Sequence, residues 1–166
     1  MQRLLRIVAA AFVLAGLSSC ASLSLPPLEL GQTEAQVIAR LGKPTQVYQD
    51  GGSRLLEYKH GRMGQTTEMA RIGPEGKLVS YEQVLTLQKF ATIKIGEANK
   101  ETVLRIIGAP GETRFYQASQ LETWSYAFKE SDVWDSLMAV YFDKAGIVRR
   151  LENGPDPLRQ VGGDFM

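Results

Sequence analysis

Apolar and polar residues follow one another along this chain in two rhythms, and each rhythm occurs twice. Val37, Ile38 and Leu41 share one face of a helix, and so do Val103, Ile106 and Ile107. Ahead of the first, Thr33 and Gln36 have the spacing of a capping box, and Asn99 supplies the cap for the second. Both helical patterns stop the same way, on Leu41-Gly42-x-Pro44 and on Ile107-Gly108-x-Pro110. A glycine just past the last turn enters left-handed backbone without a Cβ penalty, and a proline two residues later stops the helix from resuming. The pattern predicts positive φ at Gly42 and Gly108, where the chain turns into a sheet.

Beyond each proline the period changes from 3.6 to two. Trp124, Tyr126 and Phe128 alternate with Thr123, Ser125 and Ala127, and residues 137–142 form a continuous apolar run suited to a central strand. A turn at 143–146 and a last strand from Ile147 follow. The first half predicts matching strands over 54–59, 66–72 and 78–84, joined by the turns "HGRMG" and "GPEG". Val37 and Val103, Gly42 and Gly108, and Pro44 and Pro110 are each 66 residues apart, and Tyr58 and Gly76 align with Tyr126 and Gly146. The chain is therefore an internal repeat of about 65 to 70 residues. The expected fold is α+β, two tandem repeats, each with one or two short helices packed on a three- to four-stranded antiparallel meander sheet. The first repeat spans 28–86 and the second 87–154, with a short helix within 85–93 and a flexible tail at 155–166. A unit this small buries a limited core alone, so the copies must cover one another or continue their sheets side by side.

The first nineteen residues stand outside this pattern. Arg3 and Arg6 precede an apolar run too short to span a bilayer comfortably, which reads as a signal peptide over 1–19. Leu17-Ser18-Ser19-Cys20 resembles the lipobox of bacterial lipoproteins, which makes Cys20 the acylated (palmitate-bearing) first mature residue. Cys20 is the only cysteine, so no internal disulfide forms. Ala21 stands where lipoproteins retained in the inner membrane of enteric bacteria carry Asp, so the resemblance implies the outer membrane, facing the periplasm. Residues 20–27 are then a lipidated tether whose "ASLSLPP" reaches at most about 25 Å. With the two leader arginines set aside, 17 basic residues meet 18 acidic ones, a formal charge of −1. That balance offers nucleic acid no electrostatic footprint.

The chemistry available is sparse. His60 is the only histidine and sits beside Gly61 at an expected hairpin end, with no second histidine or free cysteine to make a metal site or a catalytic pair. "GPEGK" lacks the spacing and hydroxyl of a phosphate-binding loop and reads as a β-turn. Glu122 and Asp143 fall on strand and turn positions rather than as a carboxylate pair. The expectation is a non-enzymatic protein without cofactor or metal. Trp124, Tyr126 and Phe128 read as core, whereas Tyr81, Tyr116 and Trp134 are open to a partner role. The loop at Trp134, with Asp132 and Asp135, is the candidate partner surface.

Lipobox, capped helix, L-G-x-P ending and the W-x-Y strand together resemble the BamE (SmpA/OmlA) family of outer-membrane lipoproteins. The second copy carries the motif more fully, in Ile95-Gly96, Val103, Gly108, Pro110, Trp124, Tyr126, Phe142 and Gly146; the first has Leu56 at the tryptophan position. The resemblance implies a non-enzymatic accessory of the outer-membrane β-barrel assembly machinery that contacts a partner lipoprotein and phosphatidylglycerol. The chain departs from the family in having two copies, and in carrying Gln32 or Glu97 where the family has Met. Its tandem form is also similar to that of β-lactamase inhibitor protein. The alternative is therefore an inhibitor-like or ligand-binding periplasmic lipoprotein on the same duplicated fold.

Overall fold

The computed structural model describes residues 28–61 and 64–159. The expected signal peptide, Cys20 and the whole tether lie outside the described residues, as do Arg62, Met63 and the end of the tail.

Each copy opens on a short capped helix. In α1 (Glu34–Leu41) the Gln36 amide donates to Thr33 Oγ1 at 3.3 Å and the Thr33 amide donates to Gln36 Oε1 at 2.8 Å, which closes the capping box. The connecting α2 (Leu87–Phe90) is capped by Thr86, and α3 (Lys100–Ile107) by Asn99, whose Oδ1 accepts from the Thr102 amide at 2.8 Å. Both long helices end on the expected glycines, with φ 86° at Gly42 and 79° at Gly108. Their ψ values of −171° and −168° put them outside the left-handed helical region and in extended, positive-φ backbone that only glycine adopts readily. The reason is directional: the chain leaves the helix straight into a strand instead of curling over the helix end.

Two four-stranded antiparallel meanders follow, each in simple sequence order. The first contains β1 (Gln46–Asp50), β2 (Ser53–His60), β3 (Thr66–Ile72) and β4 (Leu78–Gln83); the second contains β5 (Glu112–Tyr116), β6 (Leu121–Glu130), β7 (Trp134–Phe142) and β8 (Val148–Pro155). The repeat extends to irregularities, since the register shifts at Arg71/Ile72 in one sheet and at Tyr141/Phe142 in the other. β1 and β5 are edge strands that the residue pattern did not reveal. β8 runs to Pro155, and Asp156 beyond it is buried, so ordered structure passes the boundary expected at 154.

The two sheets do not join; the copies stack. Val37 of α1 packs on Leu56, Tyr58, Ala70, Ile72 and Leu78 from one face of the first sheet. Leu55, Met69 and Val84 lie in a separate cluster on its other face. The second sheet's Trp124, Tyr126, Phe128, Val140 and Phe142 pack with Val103 and Ile107 of α3 and with Phe90 of α2, whose ring meets Phe128 edge-on at 5.0 Å. The layers run α1, first sheet, α2–α3, second sheet, so the helix of the second copy lies between the two sheets. Burial of the whole W-x-Y-x-F row gives it the core role expected of it.

The joint between copies is polar and specific. Glu57, fully buried, accepts from the Tyr48 hydroxyl at 2.5 Å and from the Ala109 amide at 3.0 Å. Lys59 Nζ donates to the carbonyls of Ala109 at 2.7 Å and Pro110 at 3.3 Å. The Tyr126 hydroxyl donates to the Gly108 carbonyl at 3.1 Å. One sheet thus grips the end of the next copy's helix through both its amide and its carbonyls, an end that otherwise leaves backbone groups unpaired. Burial raises the Tyr48 and Tyr126 hydroxyls well above the usual tyrosine range, with nearby Glu57 adding to it, so both stay neutral donors.

Candidate partner surface

The joint fixes a polarity for the molecule. Gly31 donates to the Leu78 carbonyl at 2.8 Å and Glu34 to the Gly76 carbonyl at 3.1 Å, so the chain enters beside the β3–β4 turn. α1 then runs away from that end, as does β2. The second copy repeats this with Gly96 donating to Val148 at 2.8 Å and Lys100 to Gly146 at 3.2 Å. α3 runs in the same sense: Arg105 lies 3.7 Å from Asp50 near the entry end, and Ala109 reaches Glu57 and Lys59 further along. At the far end the two copies touch tip to tip, where Gln65 Nε2 donates to Asp135 Oδ1 at 2.6 Å. A ten-residue strand such as β6 separates the two ends by about 30 Å.

The far end carries the sequence candidates. The β6–β7 turn holds two consecutive non-glycine residues at positive φ, Ser131 at 51° and Asp132 at 60°. Left-handed backbone costs roughly 1–2 kcal/mol per residue with a Cβ, less for Asp, so this tip keeps its shape against a local preference. It holds up Val133, 64% exposed, and Trp134, 70% exposed. A groove of about 610 Å³ runs beside them, with Asn153, Gly154, Pro155 and Arg159 on its walls.

Asp132 and Trp134 face outward, whereas Asp135 does not. Lys129 Nζ stands 2.9 Å from its carboxylate, Gln65 donates to it, and Arg159 lies at 3.3 Å. The Lys129 contact first, then Gln65, hold this carboxyl below the usual carboxylate range. Glu130 is held low by Asn153 and Ser136 at 3.0 and 2.9 Å. Asp135 therefore secures the turn to the first copy, and Gln65, directly after the "HGRMG" turn, is buried as its partner.

The other candidates fall into structural roles. His60 ends β2 half-exposed, 3.3 Å from Glu68, which also accepts from the Tyr81 hydroxyl. Glu122 takes Lys100 at 2.6 Å and Trp124 Nε1 at 2.7 Å, and Lys100 is the main reason its pKa is lowered. Asp143 accepts the Ala145 and Ile147 amides of its turn at 2.9 and 3.0 Å. A cleft of about 290 Å³ between the copies is lined by ions already paired with one another, Arg71 with Asp50 at 2.7 Å and Lys89 with Glu82 at 2.8 Å. Among the described residues no group of three His, Cys, Asp or Glu is placed to hold a metal, and no helix is long and apolar enough to cross a membrane.

No family model and no curated protein matches the chain. Among solved structures it is similar to a DUF4309 family protein, YjgB, from Bacillus subtilis. That likeness is at 12% identity, covers 75% of this chain and 79% of that one, and has a TM-score of 0.32. At that score it carries no argument about fold or function.

Proposed function

We propose that the chain is a non-enzymatic, lipid-anchored periplasmic adaptor. In this reading Cys20 carries the acyl chains in the outer membrane, and the Val133–Trp134 tip binds a protein partner. The observation that supports it most is polarity: among the described residues the most exposed aromatic side chain, Trp134, lies at the end away from chain entry. An exposed tryptophan beside a groove is the kind of anchor on which protein interfaces concentrate their affinity. The partner class that fits the BamE resemblance is a component of the outer-membrane β-barrel assembly machinery, or of the wider system that maintains the envelope.

The groove beside Trp134 favours a second reading, in which the same tip seizes a loop of a periplasmic protein in the manner of an inhibitor. Affinity purification of the acylated chain from detergent-solubilised envelopes separates the two. Under the adaptor reading, assembly-machinery components co-purify and Trp134→Ser depletes them roughly 30-fold, as loss of a 2 kcal/mol interface anchor demands. Capture of an unrelated periplasmic protein, lost in the same variant, supports the inhibitor-like reading. Recovery unchanged in Trp134→Ser contradicts both.

A further inference from the structure

Exposed large apolar side chains occur at the entry end as well as the far end, and the duplication shows that those at entry are not incidental. Leu30 and Ile95 occupy the same place in the two copies, each directly before a positive-φ glycine, Gly31 at 88° and Gly96 at 85°. Each glycine donates to the first residue of its copy's last strand, Leu78 or Val148, at 2.8 Å. The loop is thus built identically twice, and both times it turns an aliphatic side chain outward, Leu30 at 70% and Ile95 at 56% exposure. Neither joins any of the core clusters. At the same end β5 finishes on exposed Phe115 and Tyr116, before the turn that leads into β6 at Leu121.

We infer that the entry end is a membrane-contacting face, on which Leu30, Ile95, Phe115 and Tyr116 dip into the headgroup region of a bilayer. The inference rests on the proposed anchor for what brings the face to lipid. The seven tether residues between Cys20 and the first described residue reach at most about 25 Å, and the chain enters the domain at this end and not at the other. Aliphatic residues with a tyrosine at their margin suit an interface that is apolar below and wet above. Charge does not draw this face to anionic lipid, because Lys77, Lys94 and Lys144 are matched by Glu75, Glu97 and Asp143 in the same turns. Contact is therefore made by apolar insertion and changes little with salt. With acyl chains as the first signal and the inserted residues as the second, the domain is held upright and the Trp134 tip points away from the lipid.

Amide hydrogen exchange on phosphatidylcholine vesicles tests this. The mature chain is presented by its own acyl groups, or, where mass spectrometry finds Cys20 unmodified, by coupling Cys20 to a maleimide-bearing lipid. That mass decides the anchor separately from the face. Exchange slows several-fold at residues 29–31, 94–97 and 115–120 and stays unchanged at 131–135. Leu30→Ser with Ile95→Ser and Tyr116→Ser abolishes the slowing without moving the unfolding midpoint, since all three side chains are exposed. Unchanged exchange at the entry loops, or slowing at 131–135 instead, overturns the inference.

Discussion

Replacing Gly108 by alanine does more damage than the same change at Gly42, although the two glycines are repeat equivalents with nearly the same backbone. Both variants force a Cβ into extended positive-φ backbone, at roughly 1–3 kcal/mol each. At Gly42 that is the whole effect, because nothing lies within 4 Å of the added carbon. At Gly108 the carbon sits 2.9 Å from the Glu57 carboxylate and 3.1 Å from Thr67 Cγ2. Glu57 is fully buried, so it cannot swing into solvent; it must give up the Ala109 amide, the Tyr48 hydroxyl or both. Hydrogen bonds to a charged group are worth about 1.5–3 kcal/mol. Gly108→Ala is therefore about 2–4 kcal/mol worse than Gly42→Ala. With a urea m-value of roughly 1–3 kcal/mol/M, its midpoint falls about 0.7–4 M lower. A double-mutant cycle with Glu57→Ala isolates the cause: in that background Gly108→Ala costs about as much as Gly42→Ala. Equal midpoints for the two single variants, or strict additivity in the cycle, refute the gripped joint.

One further outcome tests the lipobox resemblance and another the clasp at Asp135. Metabolic labelling with an alkyne fatty acid marks the wild-type chain and disappears in Cys20→Ser; label that persists in the variant removes the anchor. Asp135 has its carboxyl held low by Lys129 and Gln65, so the folded state binds its proton less readily than the unfolded chain. Its contribution is present above the unfolded carboxylate pKa of about 4 and is lost as pH falls below it. Stability against pH measured by urea titration is consequently flatter on the acid side in Asp135→Asn than in wild type, and an unchanged acid limb contradicts the clasp.

Much of the fold was written in local pattern. Thr33, Gln36 and Asn99 cap helices through their own side chains, and Trp124, Tyr126 and Phe128 alternate because one face of a strand is buried; both signals sit within a few residues. β1 and β5 escaped because "QVYQD" and "ETRFY" are edge strands, largely exposed, and need no apolar alternation. Glu57 and Lys59 escaped for a different reason. In "RLLEYK" they look like solvent-facing positions, and what buries Glu57 is a helix end more than fifty residues away. One signal existed in the duplication: their repeat counterparts are Ser125 and Ala127, so the first copy carries a carboxylate and an amine where the second has small side chains. The tip at Trp134 was legible as an unassigned aromatic beside acids, but the inward turn of Asp135 depends on Gln65 of the other copy.

A protein-binding far end and a lipid-facing entry end can be told apart in one experiment. Photo-crosslinking in intact cells, with the probe at Val133 in one strain and at Ile95 in another, reads both ends in the same membrane. The account predicts a discrete protein adduct, containing an assembly-machinery component, from Val133, and lipid adducts without a discrete protein band from Ile95. Protein capture from Ile95 with none from Val133 contradicts it.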